Sequence, residues 1–178
     1  MTTDHQQISV SAANYDLATP QLLQSAPFQL ARQLIPALSG LELGIGGSLL
    51  MLELGLLTKA RDLDLVCSQQ DFPLIAAALG RLLTQVEVPP HPEYQSAAFA
   101  RFIAAEGTEV DLMAGIKVKQ QQLCWQFAPG RIEWRHQLPW MMAADWLELY
   151  QLFNRPERVL LLHTFLQQQQ QQQQQTQR

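Results

Sequence analysis

Charge is scarce in this chain: Asp, Glu, Lys and Arg make up only 16% of its 178 residues. Twelve Lys and Arg stand against sixteen Asp and Glu, a formal net charge of -4, and the cations are scattered. That leaves no basic stripe of the kind that grips nucleic acid by its phosphates, and it argues against duplex DNA as a partner. Cysteine is nearly absent as well. Cys67 and Cys124 form neither a CxxC pair nor a metal-ligand spacing, which speaks against a disulfide scaffold and for a reducing compartment. The four histidines, His5, His91, His136 and His163, are not spaced as zinc ligands either.

Long apolar runs are also missing. The longest, 41–57, is interrupted by Glu42, by three glycines ahead of Ser48, and by Glu53, so no membrane span is expected. The polar opening through Asp16 lacks the basic and then apolar pattern of a secretory signal. A cytoplasmic location is the resulting expectation. What the chain does have is 47% hydrophobic residues, enough for one core in a single domain of ordinary size.

Periodicity divides the chain as follows. Residues 1–18 read as a flexible arm, 19–166 as the folded domain, and 167–178 as a disordered glutamine-rich tail or a fraying extension of the last helix. The glutamines offer nothing apolar to offset the entropy of ordering them. Within the domain, 20–38 reads as helical, kinked or divided at Pro27 and Pro36. Next come a short strand at 41–45, a Gly46-Gly47-Ser48 turn and a helix over 49–57. A polar turn at 58–61 leads to an alternating strand at 62–66, then a helix capped by Asp71 that runs to about 86. A loop over 88–92 follows. Strands are expected at 97–104 and 108–113 as a hairpin, then at 116–119, 123–127 and 132–137, with helices at 142–153 and from 156 to about 166.

Three elements carry chemistry. Gly46 and Gly47 let backbone N–H groups approach phosphate oxygens closely, and Ser48 adds a hydroxyl where a helix begins. By itself this is the pattern of an ordinary turn with a capping serine. Asp62 and Asp64, two apart on a strand, face the same way while Leu63 and Leu65 turn into the core. Paired carboxylates beside a phosphate-binding turn suit a hard cation such as Mg²⁺. Asp111, between Val110 and Leu112 on a later strand, completes the set. Three like charges so close together repel one another unless a cation neutralises them.

Taken in order, Gly47-Ser48, then Asp62-Leu63-Asp64-Leu65, then Val110-Asp111-Leu112, the chain resembles the DNA polymerase β-like nucleotidyltransferase superfamily. Gly-Gly-Ser followed by Thr58-Lys59-Ala60-Arg61-Asp62 is most similar to the antibiotic nucleotidyltransferases and the abortive-infection toxin relatives. Positions 49–52 read Leu, Leu, Met, Leu, without the arginine usual in the smallest antitoxin-type members. The resemblance covers about 41–166 and implies an α+β fold, a mixed sheet flanked by helices with helices at the C-terminus. It implies transfer of a nucleoside monophosphate from a nucleoside triphosphate to an acceptor hydroxyl, with Mg²⁺ or Mn²⁺. Asp62 and Asp64 would hold metal. Gly46, Gly47 and Ser48 would bind the phosphates, and Asp111 would either ligate a second metal or take the acceptor's proton. The acceptor, whether small molecule, protein or RNA, stays open, as does a catalytically silent nucleotide- or partner-binding module of the same fold.

Other residues read more plainly. Lys59 and Arg61 could meet a triphosphate, although cations in a turn are usually just solvated. Lys117 and Lys119 equally suit an exposed strand edge. Trp125, Trp134, Trp140 and Trp146 read as core or interface anchors, with Trp134 and His136 partly buried beside Ile132. Cys67 reads as an inert core thiol.

Overall fold

The computed structural model describes residues 18–89, 96–117 and 124–176. The N-terminal arm up to residue 17, most of the expected loop at 88–92 and Lys119 lie outside the described residues.

The chain opens with α1 (Pro20–Leu23) and α2 (Ala26–Leu34), each with proline in its first turn, where a missing N–H costs nothing. Pro36 lies in the 3-10 turn Ile35–Leu38 that follows. The expected single segment is therefore divided near both prolines. Next come β1 (Leu43–Ile45), α3 (Gly47–Glu53), β2 (Leu63–Cys67), α4 (Phe72–Leu79) and β3 (Thr84–Val86). They lead to β4 (Ala98–Ile103), β5 (Glu109–Ala114), β6 (Ile116–Lys117) and β7 (Cys124–Trp125). The chain ends with β8 (Ile132–Arg135), β9 (Leu138–Met141), α5 (Ala143–Leu152) and α6 (Pro156–Thr176).

Seven strands form one mixed sheet in the order β3-β4-β5-β2-β1-β9-β8, while β6 and β7 pair separately. The pairs β2 with β5 and β1 with β9 are parallel, and the other neighbours in the large sheet are antiparallel. Alternation along the central strands buries Leu63, Leu65, Val110, Leu112 and Phe102 completely, with α2 and α4 packed against β2, β4 and β5. Trp140 and Trp146 are buried as well. Among the described residues, no helix is long and apolar enough to cross a membrane.

Several boundaries differ from the sequence-based expectation. The helix expected to run from Asp71 to about 86 stops at Leu79, because Gly80 takes the C-cap position and Thr84–Val86 pairs with β4 instead. The strand expected at 132–137 is two strands. His136 (φ 52°) and Gln137 (φ 63°) make a tight turn, after which Leu138–Met141 pairs back on Ile132–Arg135. Trp134 ends up 64% exposed rather than partly buried, since it lies on the edge strand that this turn creates. Helix α3 starts two residues early, at Gly47, and ends at Glu53. Where a disordered tail or fraying extension was expected, α6 continues through the glutamine run to Thr176. Glutamine's helix propensity is close to that of leucine and lysine, so nothing in the run breaks a helix already begun at Pro156.

Candidate active site

Strand β2 carries Asp64, and Asp62 stands just before its first residue. Both are half-buried, while Leu63 between them is wholly inside. The parallel register sets Asp64 beside Asp111 on β5, and the antiparallel register sets Asp111 beside Arg101 on β4. Paired residues in neighbouring strands face the same side of a sheet. Asp64, Asp111 and Arg101 therefore form one row across three strands.

The glycine turn closes on this row. Gly46 N–H donates to the Asp64 carbonyl oxygen at 3.0 Å, and its own carbonyl accepts the first helical bond of α3, from Leu50. Gly47 has φ +62°, and a Cβ built on it would lie 1.7 Å from Asp64 Oδ2. Only glycine fits there, on both counts. Ser48 Oγ donates to Asp62 Oδ1 at 2.9 Å and accepts from Arg61 N–H at 2.9 Å. Arg61 also reaches Asp62 Oδ2 through Nη2 at 3.2 Å, although its side chain is largely in solvent. Lys59 is exposed in the same turn. Ser48 thus ties the glycine turn to the acid pair, and its hydroxyl is already engaged.

The three acids are not equivalent. Asp111 is held by Arg101 through two charge-assisted bonds, Nε to Oδ1 at 2.6 Å and Nη2 to Oδ2 at 2.7 Å, while Nη1 reaches Glu109 at 3.3 Å. The Asp111 bond, followed by its charge, raises the Arg101 pKa against the opposing cost of burial. Asp64 has no such partner. Burial first, then the charges of Asp62 and Asp111, push its pKa well above 3.8, with Arg61 and Arg101 pulling the other way. Among the described residues, no three His, Cys, Asp or Glu side chains are grouped as a ready metal nest. Asp62 and Asp64 still fit a hard divalent ion: they offer oxygen donors only, and the Asp64 carboxylate is destabilised first by burial and then by the charges of Asp62 and Asp111.

Helix α5 supplies the neighbouring wall. The Trp146 ring lies where a Cβ on Gly46 would stand, 2.3 Å from that position, and meets Tyr150 edge to face at 5.6 Å. Burial is the main cause of a raised Tyr150 pKa, and Asp64 and Asp62 add to it, so the phenol lies within electrostatic reach of both acids. Among the tryptophans, Trp140 and Trp146 are core anchors as expected. Cys67 is buried and its thiol is pushed up to about 12, chiefly by burial and then by Asp71. That suits an inert core thiol.

Sequence reasoning missed Arg101, Glu109 and Tyr150. The hairpin held the signal for the first two. A turn centred on residue 106 places 101 opposite 111 and 103 opposite 109, as the register has it.

No protein-family model and no curated protein matches the chain. Among solved structures it is similar to the crystal structure of a Thermotoga maritima protein named a putative nucleotidyltransferase. The likeness has a TM-score of 0.58 at 16% identity and covers 79% of this chain and 92% of that one. At that identity the likeness speaks for architecture alone: a mixed sheet flanked by helices, the fold of that nucleotidyltransferase-named protein.

Proposed function

We propose that this chain is a metal-dependent nucleotidyltransferase, moving a nucleoside monophosphate from a nucleoside triphosphate to an acceptor hydroxyl with release of pyrophosphate. The observation that carries this reading is the contact between Gly47 and Asp64, a left-handed glycine pressed against an unpaired carboxylate. An ordinary capping turn has no need of such an approach. A turn that must deliver phosphates beside a carboxylate-held cation does.

Asp62 and Asp64 would hold the ion, Mg²⁺ or Mn²⁺, which when bound supplies charge neutralisation to the triphosphate as pyrophosphate departs. The chain's own groups do the positioning. Backbone N–H groups at 47 and 48, in the first turn of α3, would face the phosphates, the Gly46 N–H being taken by the Asp64 carbonyl, and Ser48 fixes their distance from Asp62. Lys59 and Arg61, exposed in the adjoining turn, are the cations available to the departing pyrophosphate. In the transfer itself, the acceptor oxygen forms a bond to the α-phosphorus as the bond from that phosphorus to the bridging oxygen of pyrophosphate breaks. The acceptor's proton leaves to solvent or to a carboxylate. The acceptor is a small molecule, a protein or an RNA.

One observation favours a second reading, a silent nucleotide-binding or partner-binding module. Asp111 already has both oxygens taken by Arg101, and Ser48 Oγ is taken by Asp62. The test is incubation of the full chain with each α-labelled triphosphate, Mg²⁺ or Mn²⁺, and a cell extract. Labelled product with released pyrophosphate is expected, and none from Asp64→Asn. If wild type transfers nothing and matches that variant, the silent module stands.

A further inference from the structure

Arg101 is the one residue in the acid row that opposes the row's charge from within the sheet. Its side chain is 28% exposed and that of Asp111 is 11% exposed, and the pair is bidentate. Glu109 engages the third guanidinium nitrogen. The charge of Arg101 is also felt by Asp62 and Asp64. A cation fixed at Asp111 does electrostatically what a second metal ion there would do. It also holds both Asp111 oxygens in short bidentate bonds. Asp62, by contrast, is met by a neutral hydroxyl and by a single longer contact from Arg61, whose side chain is 88% exposed and free to yield to an ion. Displacing Arg101 would break both charge-assisted bonds to Asp111 and leave the guanidinium only its contact with Glu109.

We infer that the site takes a single divalent ion, at Asp62 and Asp64, and that Arg101 is a positioning residue standing in place of a second ion at Asp111. This rests on the reading of the acids as a metal site, and it departs from the two-ion arrangement in which Asp111 is a ligand. Asp111 then serves to anchor Arg101 beside the reacting phosphates rather than to bind metal.

The full-length chain is titrated with Mn²⁺ alone and followed by electron paramagnetic resonance, which separates an isolated ion from an exchange-coupled pair. Wild type is expected to bind one isolated ion per chain, and Asp64→Asn to bind it at least about tenfold more weakly. Arg101→Met/Asp111→Leu replaces the ion pair with apolar groups, a change that folds often tolerate. It should keep the single ion with affinity within a few-fold of wild type. Arg101→Met alone exposes the Asp111 carboxylate and should admit a second, coupled ion.

A coupled pair in wild type, or loss of the ion from the double variant, overturns the inference. Should the double variant fail to fold, the wild-type spectrum alone decides. One isolated ion without any nucleotide transfer would overturn the proposed function and leave the role of Arg101 standing. A coupled pair with transfer would do the reverse, and no bound Mn²⁺ would overturn both.

Discussion

Gly47 and Asp64 share a space that admits one side chain, since an added Cβ would come within 1.7 Å of the carboxylate and the backbone there is left-handed. Gly47→Ala is therefore expected to destabilise the fold by about 1–3 kcal/mol from backbone strain alone, with displacement of Asp64 added to it. Urea unfolding and transfer assays together check this, and full stability with full activity would contradict it. Asp64 carries a second consequence. Its folded pKa lies above the ordinary 3.8, chiefly through burial, so the folded chain holds that proton more tightly than the unfolded chain does. Its ionisation then lowers stability as pH rises through the raised value. Metal-free Asp64→Asn lacks this penalty. It should melt above wild type at neutral pH, by a margin that shrinks as pH falls toward 3.8. Paired melts in chelator across pH test this, and a margin that does not change with pH would count against it. At this scale the sequence was informative wherever position along one strand decides direction, as for Asp62 and Asp64. It was silent on Arg101, because the partner of Asp111 is chosen by register between strands, and on Ser48, whose hydroxyl bonds Asp62 instead of standing free.

Among elements, the hairpin of β8 and β9 was hardest to read. Two-residue turns with positive φ at both positions usually announce themselves as Asn-Gly or Asp-Gly, and here they are His136-Gln137. A side-chain clamp outside the turn helps to hold it. Arg135 donates to Glu53 through Nε at 2.7 Å and Nη2 at 2.8 Å and also pairs with Glu133, while Trp140 Nε1 donates to the Arg135 carbonyl. The Glu53 side chain is only 8% exposed. This clamp joins the end of α3 to the sheet edge, so the glycine turn at one end of α3 is fixed by an ion pair at the other. Arg135→Met would strand a buried carboxylate, at a cost of about 3–5 kcal/mol. In the Arg135→Met/Glu53→Leu double variant most of that cost should disappear. A double-mutant cycle in denaturant tests the claim, and additive losses would show that the two residues act separately. Strand β3 escaped the sequence reading for a related reason. Thr84–Val86 follows an alanine-rich helix without a clear break in hydrophobic pattern, and its strand character comes from β4 beside it. Elements whose pattern lies within themselves, β2, β5 and α5 among them, fall within a residue or two of expectation.

For the whole molecule, the acid row makes stability depend on what is bound. Without metal, burial and then the charges of Asp62 and Asp111 raise the cost of charging Asp64, and Arg61 and Arg101 oppose it. Folded chain with an ion at Asp62 and Asp64 gains free energy that the unfolded chain cannot, because the two acids are held to one side, against Gly47 and Ser48, only once β2 and α3 are in place. At a hundredfold excess of ligand over its dissociation constant, that gain is about 2.7 kcal/mol. In a chain of this size each kcal/mol shifts melting by about 2–4 °C. Saturating Mn²⁺ with a triphosphate should therefore raise the wild-type melting temperature by about 5–10 °C. Asp64→Asn should show almost no response. The two proteins then exchange order: the variant is the more stable in chelator, and the wild type is the more stable with ligand. A general ionic effect of Mn²⁺ on a protein surface would move both curves alike, and mere damage to the fold by the substitution would put the variant below wild type under every condition. Only a carboxylate cluster built to receive a cation gives the crossing, so melts of both proteins in chelator and in Mn²⁺ with triphosphate separate the three cases.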